Sequence, residues 1–206
     1  MLIFFILEII GTIAFAVSGA MVGIQKKMDV FGVCVLGLTT AVGGGILRDL
    51  ILNITPPSAF KNPAFAATAV LASIVIFIPS VRRALAKTGK IYDSMILVMD
   101  SVGLGLFTVA GVQAAYSTIT EVNYFLIVFV GVLTGVGGGI MRDTFAGNTP
   151  YIFVKHFYAS ASVIGAIVCT FMWPYLGSLI SMISGAFVTM VLRLLAAHYR
   201  WELPKA

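Results

Sequence analysis

Two arginine–aspartate pairs, Arg48–Asp49 and Arg142–Asp143, each follow three consecutive glycines inside a stretch that is otherwise apolar. The first copy reads Val42-Gly43-Gly44-Gly45-Ile46-Leu47-Arg48-Asp49. The second, 94 residues later, reads Val136-Gly137-Gly138-Gly139-Ile140-Met141-Arg142-Asp143. Two further carboxylates, Glu8 and Asp100, occupy apolar stretches upstream of each copy. Charged side chains are expensive in hydrocarbon and there face a protein interior or a watery path, paired with one another. Depth along the chain predicts two such pairs, Glu8 with Arg48 and Asp100 with Arg142. A carboxylate at this depth also attracts cations.

The glycine triplets admit two readings. Glycine is a poor helix former, so each triplet is expected to break its helix. Carbonyls freed at a break and turned into a water-filled path can replace part of an ion's hydration shell. A half-helix starting after the break can aim its amide ends at a carboxylate. On this reading the backbone of Gly43–Gly45 and Gly137–Gly139 offers cation contacts, and Arg48, Asp49, Arg142 and Asp143 form a charged gate near each mouth. The other reading is packing. Gly19-x-x-x-Gly23, Gly131-x-x-x-Gly135 and Gly135-x-x-x-Gly139 bring helices together, and the arginines then snorkel or hold carbonyls.

No catalytic constellation accompanies these residues. The HExxH, GxSxG and Walker patterns are absent from the sequence, so neither an enzyme nor a cofactor is expected. Cys34 and Cys169 stand apart in apolar runs and read as small hydrophobes. His156 reads as interfacial.

The elements that must position these groups follow from composition. The chain has 206 residues, 60% hydrophobic and 10% charged, against about 25% charged in soluble domains. Apolar runs lie at 2–24, 30–53, 63–80, 93–115, 124–147, 157–176 and 177–198, each near the roughly 20 residues a spanning helix needs. This is an all-α membrane protein with seven transmembrane helices in a single transmembrane domain, 1–206. The net charge of +5 fits cytoplasmic flanks of spanning helices and carries no basic stripe of a nucleic-acid binder. The first run lacks the basic start of a secretory signal and reads as a retained helix.

The repeat extends beyond the glycines. Gly37, Thr40, Thr55, Pro56 and Lys61 match Gly131, Thr134, Thr149, Pro150 and Lys155 at the same offset of 94. Gly11, Phe15 and Gly19 match Gly103, Phe107 and Gly111 at 92, setting Glu8 opposite Asp100. Repeat one spans 2–80, repeat two 93–176, and helix seven, 177–198, is unpaired. Three helices per repeat is an odd number, so the halves are inverted, a plan common in transport proteins. Lys26, Lys27, Arg82, Arg83, Lys87, Lys90, Lys155, Arg193, Arg200 and Lys205 fall at one set of ends and only Lys61 at the other. That bias predicts an N-terminus outside and a C-terminus in the cytoplasm. Asn53, Thr55-Pro56-Pro57 and Asn148-Thr149-Pro150 read as turns that end the second and fifth helices.

The doubled GGG-I-x-R-D motif, the three-plus-three-plus-one plan and the length near 200 residues resemble the bacterial branch of the trimeric intracellular cation (TRIC) channel family, also labelled a glycine transporter domain. The resemblance covers essentially the whole chain. It implies a homotrimer in a bacterial inner membrane, surrounded by lipid. It further implies an hourglass pore in each protomer beside the second and fifth helices, and conduction of potassium and sodium. The alternative is a secondary transporter for glycine or another small neutral solute, since inverted repeats also serve transporters.

Overall fold

The computed structural model describes residues 2–86, 89–154 and 157–201, and every regular element among them is a helix. Lys87, Lys155, His156 and Lys205, which figure in the charge and turn readings, lie outside the described residues. The helices are α1 (Leu2–Gln25), α2 (Val30–Ile51), α3 (Ser58–Lys61), α4 (Pro63–Phe77), α5 (Pro79–Ala86), α6 (Gly89–Thr118), α7 (Tyr124–Phe145), α8 (Tyr151–Val154) and α9 (Tyr158–His198). Five of them, α1, α2, α6, α7 and α9, are long and apolar enough to cross a membrane; α4 is apolar but shorter. The third run closes at Phe77 rather than at residue 80, because Pro79 cannot extend the helix before it.

Side chains set the starts. Asp29, Asn62 and Asn123 precede α2, α4 and α7, and their carboxylate or amide oxygens accept from Gly32, Ala64 and Leu126 N–H, satisfying donors that a helix start leaves free. The ends of α2 and α7 match each other. Asn53 and Gly147 take positive φ, while Ile54 N–H donates to Asp49 O and Asn148 N–H to Asp143 O, both at 2.8 Å. This wrapped C-terminal turn satisfies trailing carbonyls at each end.

The 41-residue α9 is two arms. Gly177 inside it has φ 74 and ψ 170. A straight helix would hold Gly165 and Gly185 roughly 30 Å apart, yet a Cβ added to Gly165 would lie 2.7 Å from the Gly185 carbonyl oxygen. The chain therefore reverses near Gly177, and arms 158–176 and 178–198 pack against each other through small residues. Counting the arms singly, the described residues form six long apolar rods and the shorter α4. The helices gather as α1, α2 and α4 on one side and α6, α7 and α9 on the other, joined where α1 meets α6 and α2 meets α7.

The expected breaks at the glycine triplets do not occur. α2 and α7 run as uninterrupted helices through residues 43–45 and 137–139, and the positive-φ glycines among the described residues are Gly147 and Gly177. The physical reason is close approach. A Cβ on Gly44 would collide with the Thr134 carbonyl oxygen, one on Gly138 with the Thr40 carbonyl oxygen, and one on Gly137 would come within 3.0 Å of Gly44 Cα. Backbone-to-backbone packing of α2 on α7 holds these glycines helical, so the cost of glycine in a helix, about 1 kcal/mol each relative to alanine, is offset by contact.

Candidate functional site

The two arginines sit where α2 and α7 approach their C-terminal ends. Arg48 Nη1 donates to Glu8 Oε1 across the α1–α2 face at 3.4 Å, and its Nε donates to Asp49 Oδ1 at 2.7 Å. Arg142 Nη1 donates to Asp100 Oδ1 across the α6–α7 face at 2.5 Å, and its Nε to Asp143 Oδ1 at 2.8 Å. Both pairings expected from the sequence are formed. Charge-assisted geometry of this kind is what stabilises ions out of water.

Asp49 and Asp143 also hold the loops that follow them. Each uses its second oxygen on the following loop: Ser58 N–H donates to Asp49 Oδ2 at 2.6 Å, and Tyr151 N–H to Asp143 Oδ2 at 3.0 Å. Each aspartate thus ties its arginine to the first residue of a short helix, α3 or α8. One guanidinium faces two carboxylates at both places, a formal charge of −1 for each triad.

Alike in bonding, the triads differ in access. A cavity of about 290 Å³ reaches Glu8, Arg48 and Gly45, and its rim includes the exposed Ser117 and Thr118 at the end of α6. The Glu8 side chain keeps 24% of its surface, whereas Arg142 and Asp100 keep 0% and 1%. Arg142 is therefore enclosed, with Ser18 accepting from its Nη1 at 2.7 Å and the Tyr151 ring 4.9 Å from its guanidinium carbon. Arg193, read as a flanking charge, is also buried, with its guanidinium over the Tyr158 ring at 5.2 Å.

Apolar side chains pack around the glycine triplets. Phe107 forms part of the cavity wall and stacks on Phe15, ring centroids 5.3 Å apart. Phe15 in turn packs on Gly138 and Gly103, Met141 packs on Gly43, and Leu47 on Gly137. Phe15 and Phe107 were visible in the sequence only as matched positions of the repeat. Ser18, Gln113 and Tyr158 carried no signal, because a lone polar or aromatic residue in an apolar run is indistinguishable from packing.

A family model described as Glycine transporter matches residues 5–80 and 97–174. The UPF0126 inner membrane protein YadS of Escherichia coli K12 is 37% identical over 203 residues, covering 96% of this chain and 93% of that protein. A structure solved to explain conductance through TRIC cation channels superposes with a TM-score of 0.85 at 39% identity, covering 98% of this chain and 96% of that one. The TRIC trimeric intracellular cation channel orthologue from Rhodobacter sphaeroides gives a TM-score of 0.85 at 28% identity, covering 98% and 100%.

Proposed function

This chain belongs to the glycine transporter family, and from that premise we propose that it is a channel for monovalent cations, potassium and sodium, in a bacterial inner membrane. The observation that carries the reading is the water-accessible cavity beside α2, lined by Glu8 and ending on Phe107. Its triad of Glu8, Asp49 and Arg48 leaves one negative charge in excess, which favours a cation over an anion or a neutral solute. The proposed path continues beside the α2–α7 crossing, past Phe15 and Phe107, toward the Arg142 triad. Rings in contact across a narrow apolar neck exclude water, so the conformation described is a closed one.

Crossings by α1, α2, α6, α7 and the two arms of α9 are supported by their lengths and by the reversal at Gly177, and a seventh by the shorter α4 is supported by its apolar sequence and its packing on α1 and α2. The inverted repeat is supported by the twin triads. The charge bias supports an N-terminus outside, which puts the Glu8 cavity on the outer face. A homotrimer with one pore per protomer is supported by the trimeric relative. Solved relatives are channels, which favours a role without catalysis.

The test is electrical. Purified protein in planar bilayers should pass unitary potassium currents, with a reversal potential that tracks the cation gradient, and E8Q should lower the conductance. Folded protein that passes no current at any voltage, or that shows saturable glycine counterflow instead, overturns the proposal.

A further inference from the structure

We infer that the ring of Tyr158 is a tethered plug: it fills a second vestibule, the counterpart of the open Glu8 cavity, and that pocket admits water when the ring withdraws. The inference rests on the channel reading and names the group that closes its far half.

The repeat itself identifies the pocket. Thr12, Val42, Gly45 and Arg48 line the open cavity. Their partners at the offsets of 92 and 94 are Leu104, Val136, Gly139 and Arg142. Tyr158 packs with Leu104 and Val136 in one apolar cluster, and a Cβ on Gly139 would meet its hydroxyl oxygen at 2.5 Å. At Gly45 the nearest atom is Arg48 Nη2, 4.0 Å away. The residue matching Tyr158 in the first half is Ala64. It is the neighbouring Phe65 that lines the open cavity, and the space beside Gly45 is open where that beside Gly139 holds a phenol.

The polar atoms around the ring are those of a site built for a wetter state. Asp100 Oδ2, Arg142 Nη2 and the Tyr158 hydroxyl are all buried without a hydrogen-bond partner. Each such atom costs roughly 1–3 kcal/mol, and native proteins leave few of them. Water entering the pocket would satisfy all three. Arg142 and Arg193, the latter with its guanidinium over the ring at 5.2 Å, balance the charges of Asp100 and Asp143, so no net charge picks an ion here and the species drawn in is water.

The experiment reads accessibility apart from current. Ser18, 0% exposed and bonded to Arg142, is replaced by cysteine in a background carrying Cys34→Ala and Cys169→Ala. Proteoliposomes are treated on both faces with a small cationic, membrane-impermeant thiol reagent. S18C is expected to react at least tenfold faster with Y158A than with Tyr158 and to stay protected with Y158F. V136C provides a second reporter from the same cluster should S18C fail to fold. No acceleration in folded Y158A, or equal acceleration in Y158F, overturns the inference. Potassium current is recorded on the same variants and is expected to rise in Y158A. Faster labelling with no current in either protein refutes the channel reading and leaves the plug standing.

Discussion

Replacing Gly44 with alanine adds one methyl group at the point where α2 touches α7. The added carbon would fall well inside the van der Waals radius of the Thr134 carbonyl oxygen and 3.3 Å from the Gly138 nitrogen. Both are backbone atoms of a helix, so no rotamer change relieves the clash and the helices must move apart. Alanine returns about 1 kcal/mol in helix propensity. Against that stands overpacking, typically about 1–3 kcal/mol where side chains can yield and at the upper end where only backbone can. The separation also loosens Phe15 on Gly138 and Leu47 on Gly137, so a net loss of about 2 kcal/mol is expected. For a chain of this size that lowers the unfolding midpoint by about 4–8 °C. Gly45→Ala is the internal control. It belongs to the same triplet, but its Cβ would meet only Arg48 Nη2 at 4.0 Å, so the midpoint should hold or rise. Thermal unfolding of both variants in one detergent, followed by tryptophan emission and by size-exclusion recovery, measures the difference. A G44A midpoint equal to or above that of G45A would refute the view that the triplets exist for close approach.

Other expectations follow from the same geometry. Arg142→Ala leaves Asp100 and Asp143 buried and unpaired, a loss of about 3–5 kcal/mol. Arg48→Ala should cost less, because Glu8 reaches water in the cavity; equal midpoint shifts would contradict the difference in access. Gly177→Ala meets open space but holds φ 74 and ψ 170, a region nearly closed to other residues, and should lose about 1–3 kcal/mol, read as a lower midpoint without change in assembly. Asp143→Ala removes the acceptor of Tyr151 N–H, so hydrogen exchange at that amide should accelerate while amides in the middle of α7 keep their protection.

The charged pairs were legible because a membrane leaves an ion few options. Given Glu8 and Arg48 at like depths, and Asp100 and Arg142 likewise, pairing was the least costly arrangement. The rods were legible from apolar length, apart from the early stop before Pro79. The breaks at the triplets were misjudged because helix propensity is a local quantity. The contact that overrides it, Gly44 against Thr134 and Gly138 against Thr40, is made between helices about 90 residues apart in the chain. The loop contacts of Asp49 and Asp143 were not legible for a related reason: their second oxygens bind Ser58 and Tyr151 amides, and a backbone donor leaves no trace in residue type. Arg193 looked like a surface charge because its burial depends on the reversal at Gly177, which places the last arm against the bundle.

Each of these two aspartates has one oxygen on a guanidinium and the other on the amide that opens the next segment. A carboxylate is rigid and planar, so it acts as a short coupling rod. A movement that tilts the arginine pulls on the loop that follows the aspartate, and a tug on that loop reaches the buried ion pair. Arginine and loop then shift as one mechanical part in each half, and a force applied at the loop has a stiff route to the interior.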